Sequence, residues 1–406
     1  MQSIELLSPA GDLECLETAL HFGADAVYVG GPKLQLRAAN VGFPMETLAR
    51  AVLAAHRAGR KLYVTVNSFA TNMEIPEIPA YARELSALGV DAVIVADVGV
   101  LAEIKKAAPD LPVHVSTQAN CGNYAAARVY HALGASRIVL AREMTLEAIA
   151  ELRAHIPDEL ELEAFVHGAM CMAYSGRCLL SAYLTGRSGN RGVCAQPCRW
   201  RYALVEETRP GEYFPVFEDA RGTTVLSSRD LCAVSFLDRL ADAGVTSFKI
   251  EGRMKSPYYV ATVTNAYRQA LDALARGETP DTDALMRELG AASHRDFSRG
   301  FYFGEIPSEP AAGDGYAQDC VFAGVVRAAE PGRITFEQRN RVRAGDALEV
   351  LAPGENVRTF TVGAMTAPDG SATDDARLPA ALYSADCPFS LAPGDILRIR
   401  RPEKRP

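Results

Sequence analysis

Four thiols crowd into one short stretch of this chain. Cys171, Cys178, Cys194 and Cys198 fall within 28 residues, with gaps of six, fifteen and three residues between them. The other five cysteines, Cys15, Cys121, Cys232, Cys320 and Cys387, are scattered. An odd total of nine argues against a disulfide framework, and thiols gathered in one segment point to a metal. A zinc site would more often show close pairs of CxxC knuckles, which are absent. Thiolates presented by one irregular loop suit an iron–sulfur cluster, whose irons need ligands from several directions. Gly168, Gly176 and Gly192 would let the backbone approach such a cluster and donate N–H bonds to its sulfurs.

The same stretch is basic. Residues 177–201 contain Arg177, Arg187, Arg191, Arg199 and Arg201 and no acid. The net charge of −8 gives no global attraction to nucleic acid, so any RNA contact needs a local patch of this kind. Arginine forks suit a dicarboxylate or RNA phosphates, and Trp200, the only tryptophan, could stack a base. The bland alternative is a solvated loop whose arginines offset the negative charge of a cluster. Further along, Lys249 and Glu251 share strand parity, so both point into a barrel or both out, and Arg253 and Lys255 follow. An inward Lys249–Glu251 pair would be an acid/base or anchoring group, or else a structural ion pair. His167 leads directly into the cysteine segment and is expected to touch substrate or cluster, or to be satisfied by loop backbone.

Such groups need a scaffold. Apolar runs at Ile4–Leu7, Ala26–Gly30, Leu62–Asn67, Ala92–Asp97, Val113–Gln118, Arg137–Arg142, Leu160–Val166 and Ser247–Glu251 alternate with helical patterns such as Met45–Ala58, Ile78–Leu88, Ala125–Leu133 and Leu146–His155. Strands with little polar alternation are buried on both faces, as in a parallel sheet. Eight such units in about 250 residues, with no GxGxxG after an early strand, predict an α/β fold, a TIM-like (β/α)8 barrel. Its active face would be the C-terminal strand ends: Ser8, Gly30, Asn67, Asp97, Gln118, Arg142, His167 and Glu251. Asn67, Gln118 and Arg142 are therefore candidate substrate-binding residues, beside the loop arginines, Trp200 and Arg253.

The barrel is expected over 1–275, with all four clustered cysteines in an insertion over about 167–246, far longer than an ordinary connecting loop. A helical linker region over 276–315 contains Gly313-Asp314-Gly315. A small all-β barrel domain follows over 316–406, with runs at Val321–Val326, Arg333–Phe336, Ala347–Leu351, Arg358–Val362 and Ile396–Ile399. Arg398 to Arg405 reads as a frayed, solvated basic tail. Tyr258 and Tyr259 read as packing residues. A start lacking a basic, apolar leader, and no span of membrane length, predict a cytoplasmic protein without a membrane partner.

The stretch Glu163–Ser181 resembles the signature of the collagenase-like peptidase family, and Arg187–Gly192 with Cys198–Trp200 fits its tRNA-hydroxylating branch. Ser8–Asp12, Gly23–Gly30, Ser227–Leu231 and Phe248–Arg253 extend the likeness, which weakens over the C-terminal domain. The resemblance implies a 4Fe–4S cluster and oxygen-independent conversion of the tRNA wobble uridine to 5-hydroxyuridine, with prephenate as co-substrate. Other branches act on ribosomal RNA or a quinone precursor. By the same resemblance, Cys171, Cys178, Cys194 and Cys198 are the ligands. Cys232 is held in reserve because it is remote in sequence from the Cys194–Cys198 pair, and Cys121 is a remoter alternative. Three classes of function stay open. One is the hydroxylase, with tRNA and a small organic acid as partners. Another is a peptidase, for which only a His167–Cys171 dyad can be drawn, there being no HExxH or GxSxG. The third is a non-catalytic RNA-binding scaffold with a structural cluster.

Overall fold

The computed structural model describes residues 4–36, 42–171, 173–200, 218–219, 222–223, 229–305 and 316–401. Eight parallel strands form the expected closed barrel. They are β1 (Glu5–Pro9), β2 (Ala26–Gly30), β3 (Lys61–Val66), β4 (Ala92–Val95), β5 (Val113–Val115), β6 (Arg137–Val139), β7 (Glu161–Ala169) and, after an inserted β8 (Asp230–Cys232), β9 (Ser247–Ile250). Closure comes from β9, which pairs with β1 from Glu5↔Ser247 to Leu7↔Lys249 and with β7 on its other side.

Helices α1 (Leu13–His21), α2 (Met45–Arg57), α3 (Ile78–Ala87), α4 (Val98–Ala107), α5 (Tyr124–Ala132) and α6 (Leu146–Ala154) follow the first six strands. α2 buries Leu48, Ala51, Val52 and Ala55, the i, i+3, i+4, i+7 stripe that its sequence shows. Capping fixes where several begin. Asp97 Oδ1 accepts from Gly99 N at 2.8 Å, and Asn123 Oδ1 accepts from Ala126 N at 2.9 Å. Asp97, expected at the active face, is thus a helix cap.

Strand β7 runs past the barrel rim and takes β8 as an antiparallel neighbour, with Cys232 directly opposite His167. A further short strand, β10 (Phe297–Ser298), extends this edge beyond β8. Between β7 and β8 lies α7 (Leu180–Thr185), and between β8 and β9 lies α8 (Leu237–Asp242). Helices α9 (Pro257–Ala275) and α10 (Thr282–Gly290) follow β9. Gly313-Asp314-Gly315 lies outside the described residues.

The chain divides into two compact units. One comprises Met1–Leu16, Ala24–Lys255 and His294–Tyr316, the other Glu17–Gly23, Ser256–Ser293 and Ala317–Pro406. The second unit contains an antiparallel sheet of β11 (Cys320–Glu330), β12 (Arg333–Gln338), β13 (Ala347–Leu351), β14 (Arg358–Thr361), β15 (Met365–Thr366), β16 (Ala372–Thr373), β17 (Leu382–Asp386) and β18 (Ile396–Arg400), in the order β14-β13-β18-β11-β12-β17-β15-β16. Its core includes Phe336, Leu348, Val350, Tyr383 and Leu397. Tyr258 and Tyr259 are buried, as packing residues should be.

The basic end is not a frayed tail as far as Arg401. Arg398 is fully buried in β18, its Nε donating to Glu349 at 2.8 Å and its Nη2 to Glu288 at 2.8 Å. A guanidinium with two carboxylates waiting for it can be buried, which a charge count along the sequence does not reveal. Among the described residues, no helix is long and apolar enough to cross a membrane.

Candidate active site at the barrel mouth and its cysteine loop

At the C-terminal end of the barrel a cavity of about 60 Å³ is lined by Asn67, Gln118, Arg142, Lys249, Glu251 and Arg253 among others. Four of the residues expected from strand ends, Asn67, Gln118, Arg142 and Glu251, therefore meet in one place, with Lys249 and Arg253 beside them. Arg142 spans the mouth, donating to Glu251 Oε2 at 3.1 Å and to the carbonyl of Ala169 at 2.7 Å, with its guanidinium 3.9 Å from the Phe165 ring centre. Arg253 donates to two neutral oxygens, Thr65 Oγ1 at 2.9 Å and Gln35 Oε1 at 3.1 Å. Asn67 Nδ2 donates to Ser116 Oγ at 3.5 Å, while Asn67 Oδ1 is buried without a partner.

Lys249 does not pair with Glu251. Its Nζ donates to Glu163 Oε1 at 2.7 Å, lies 4.4 Å from the centre of the Tyr28 ring, and is buried. Burial pushes its pKa below the ordinary lysine range, and the Glu163 carboxylate opposes that shift. Glu163 in turn accepts from Arg137 Nη1 at 3.1 Å, and the same nitrogen donates to Glu5 Oε1 at 2.6 Å. Tyr63 and Ser247 also donate to Glu5, at 2.6 and 2.8 Å. A ladder of charge thus fills the barrel from base to mouth. Glu5, Arg137 and Glu163 were not anticipated: a charged residue inside a strand gives no sign of facing inward until the barrel closes.

The base of the barrel opens into a larger cavity of about 750 Å³, lined by Arg60, Arg137 and Arg153 with several acids. Its arginines are engaged. Arg60 donates to Asp25 at 2.6 Å, Arg137 to Glu5 and Glu161, and Arg153 to the carbonyls of Leu160 and Ile156. That is the stabilising face of such barrels, so the smaller mouth cavity is the better site.

His167 lies away from the mouth lining. It is buried where β7 pairs with β8, its ring 5.4 Å from that of Phe297. Burial lowers its pKa to about 3 against the pull of Asp230, so the imidazole is neutral. Asp230 is itself clamped by Arg295, whose Nε and Nη2 donate to Oδ1 at 2.9 and 2.7 Å. Cys171 is exposed. A buried neutral histidine and an exposed thiol do not make the shared, accessible pair that a thiol nucleophile and its base require.

The cysteine loop is pinned across the rim. Ser175 N donates to Glu143 Oε1 at 2.9 Å, and Phe69 N donates to Asn190 O at 3.3 Å. Arg191 forms a fork on Glu74, at 2.8 and 3.1 Å, and Arg187 Nε donates to Val193 O at 3.0 Å. These two arginines, expected to bind substrate, are engaged in holding the loop. Arg177 is exposed and Trp200 is 44% exposed, while the side chain of Arg199 and all of Arg201 lie outside the described residues. Gly176 and Gly192 serve docking. Both have positive φ, and a Cβ would stand 2.1 Å from Gln118 O at the first and 2.6 Å from Gln35 O at the second.

The donor set is chemically that of an iron–sulfur site: Cys171, Cys178, Cys194 and Cys198 are all free thiols, the first exposed and the others half-buried. Among the described residues, however, no three His, Cys, Asp or Glu side chains converge as ligands of one metal. Cys232 is buried at the root of the loop, cross-strand from His167, so the fold brings near what sequence distance had separated. Cys121 is buried under the rim, and burial pushes its thiol up to about 11.

Comparison with known proteins bears on both units. Peptidase family U32 matches residues 11–310, and the U32 C-terminal domain matches residues 318–398. The chain is 36% identical to tRNA hydroxylation protein P of Escherichia coli (strain K12), covering 91% of this chain and 90% of that protein. It is 35% identical to tRNA hydroxylation protein P1 of Bacillus subtilis (strain 168), covering 97% and 94%. A solved U32 peptidase matches with a TM-score of 0.42 at 17% identity, over 63% of this chain and 96% of that one. With barrel strands β2 to β9, the cysteine loop and nearly all of the C-terminal sheet inside the matched regions, the chain belongs to peptidase family U32.

Proposed function

We propose that this protein hydroxylates RNA, converting the wobble uridine of tRNA to 5-hydroxyuridine without molecular oxygen, with prephenate as the small organic acid. The observation that carries the reading is the near-full-length likeness to two proteins named for tRNA hydroxylation. The mouth supports it chemically. Arg253 and Arg142, which both line the mouth, are forks suited to carboxylates. Cys171, Cys178, Cys194 and Cys198 would hold a 4Fe–4S cluster, with Cys232 in reserve, and binding would have to draw these thiols together. Such a cluster would supply one-electron chemistry. The cavity is far below the about 300–1,000 Å³ usual for small-molecule sites, so a ring-sized acid requires the residues that line the mouth to move apart.

The test is to purify the protein without oxygen, measure iron and sulfide, and incubate it with unmodified tRNA and prephenate. Nucleoside mass spectrometry should find one added oxygen on uridine, dependent on prephenate and lost in Arg253→Ala. Iron should fall in Cys171→Ala, Cys178→Ala, Cys194→Ala and Cys198→Ala. Iron-replete protein that leaves tRNA unchanged but cleaves a peptide would overturn the reading.

A further inference from the structure

Large side chains that folding ordinarily buries stand exposed on the cysteine loop. Tyr183 is 86% exposed, Leu179 72%, Tyr174 64% and Trp200 44%. Single exposed apolar residues are normal on any protein. Here, three of the five exposed aromatic residues found among the described residues fall in the 27 residues from 174 to 200. That is the stretch in which arginines occur without acids. The loop also holds these rings on fixed backbone. Arg177 N donates to Tyr174 O at 3.0 Å to close one turn, Tyr183 N donates to Leu179 O at 2.8 Å at the start of α7, and α7 packs on the short helix Pro197–Arg199 that precedes Trp200.

We propose that Tyr174, Tyr183 and Trp200 form a stacking platform for unpaired bases of an RNA loop, with Arg177 neutralising the adjoining backbone. The inference rests on the RNA reading above and names the surface and the form of RNA that it takes. Three features select this ligand. Aromatic faces open to solvent suit bases that are not already stacked in a helix. An acid-free basic stretch on an acidic protein suits a phosphate backbone. Arg191 and Arg187 are tied to Glu74 and Val193, so charge alone does not make the surface, and the rings must contribute. The same loop rests on residues that line the mouth cavity, Thr117 Oγ1 donating to Ser175 Oγ at 3.4 Å and Gly176 lying against Gln118 O, so a base stacked there is close to the chemistry.

The test uses the full chain and two labelled RNAs of equal charge, a hairpin with a uridine-rich loop and a fully paired duplex, followed by fluorescence anisotropy. Tyr183→Ala should weaken hairpin binding about tenfold, the order expected for one lost stacking contact, and leave duplex binding unchanged. Tyr183→Phe should restore the hairpin affinity, since the ring and not the hydroxyl does the stacking. Because Tyr183 is so exposed, both variants should melt with the wild type. With 5-bromouridine in the loop, irradiation should crosslink Tyr174, Tyr183 or Trp200. Hairpin affinity unchanged in both Tyr183→Ala and Trp200→Ala, with crosslinks elsewhere, overturns the platform and leaves the RNA reading standing. A wild-type protein that binds neither RNA at low salt overturns the RNA reading itself.

Discussion

Lys249 and Arg137 are cations inside a barrel, with Glu163 between them at 2.7 and 3.1 Å; Arg137 also has Glu5 at 2.6 Å, whereas Glu163 is the carboxylate bonded to Lys249. Burying a charge without its partner is costly, so Glu163→Gln should destabilise the fold by roughly 3–5 kcal/mol in denaturant titration. A loss within 1 kcal/mol would mean that water reaches the ladder. His114 faces the same interior. It is buried, its Nδ1 has no partner, its ring is 4.8 Å from that of Tyr63, and burial with the nearby charges of Arg137, Lys249 and Lys61 holds its pKa well below 6.5. As pH falls through about 6.5 the unfolded chain takes up a proton that the folded chain refuses, so stability declines by up to about 1.4 kcal/mol per pH unit on this account alone. His114→Phe should remove that component, giving a shallower loss of melting temperature in acid than wild type. Neither group was legible in the sequence. Asn67, Gln118, Arg142 and Glu251 were, because a polar residue ending an apolar run is exceptional, whereas Glu163 and His114 merely alternate with apolar neighbours.

Strands and helices were legible wherever periodicity was strong, as in α2, whose helical stripe and observed buried face coincide. The cysteine loop was legible as a site but not as a structure, since its anchors are backbone atoms of the distant rim. Gly176 shows the constraint: at φ +73 and with Gln118 O where a Cβ would be, any side chain must lift the loop. Gly176→Ala should therefore raise the rate of limited proteolysis within 171–200, while the barrel melts near the wild-type temperature. Arg191→Ala removes the exposed fork on Glu74, which is worth about 1 kcal/mol or less, together with one exposed hydrogen bond to Phe69 O. It should loosen the loop less than Gly176→Ala does, and a reversed order would place the anchor in the ion pair. β8 was missed for a related reason. Three residues of Asp-Leu-Cys carry no strand signal, and it exists because β7 overruns the rim and offers an edge.

At the scale of the molecule, chain order and compact units diverge. Helices α9 and α10 follow the last barrel strand in sequence, yet they group with the C-terminal sheet, as do residues Glu17–Gly23. Such grouping depends on contacts between remote residues, which no local pattern records. Asn265 is fully buried in α9, and it accepts from Gly354 N at 2.9 Å and donates to Ala352 O at 3.4 Å. Tyr258 stacks on Phe322, with ring centres 5.5 Å apart, and donates to Ala291 O at 3.1 Å. Truncation after residue 316 would strip α9 of these partners and expose the apolar surface packed against them. The truncated chain should bind a hydrophobic dye, associate in size-exclusion chromatography and unfold without one cooperative transition. A truncated chain that stays monomeric and melts sharply would mean that the barrel is stable without the sheet. In that case the role of the sheet would be sought in RNA binding, by comparing the hairpin affinities of the full and truncated chains.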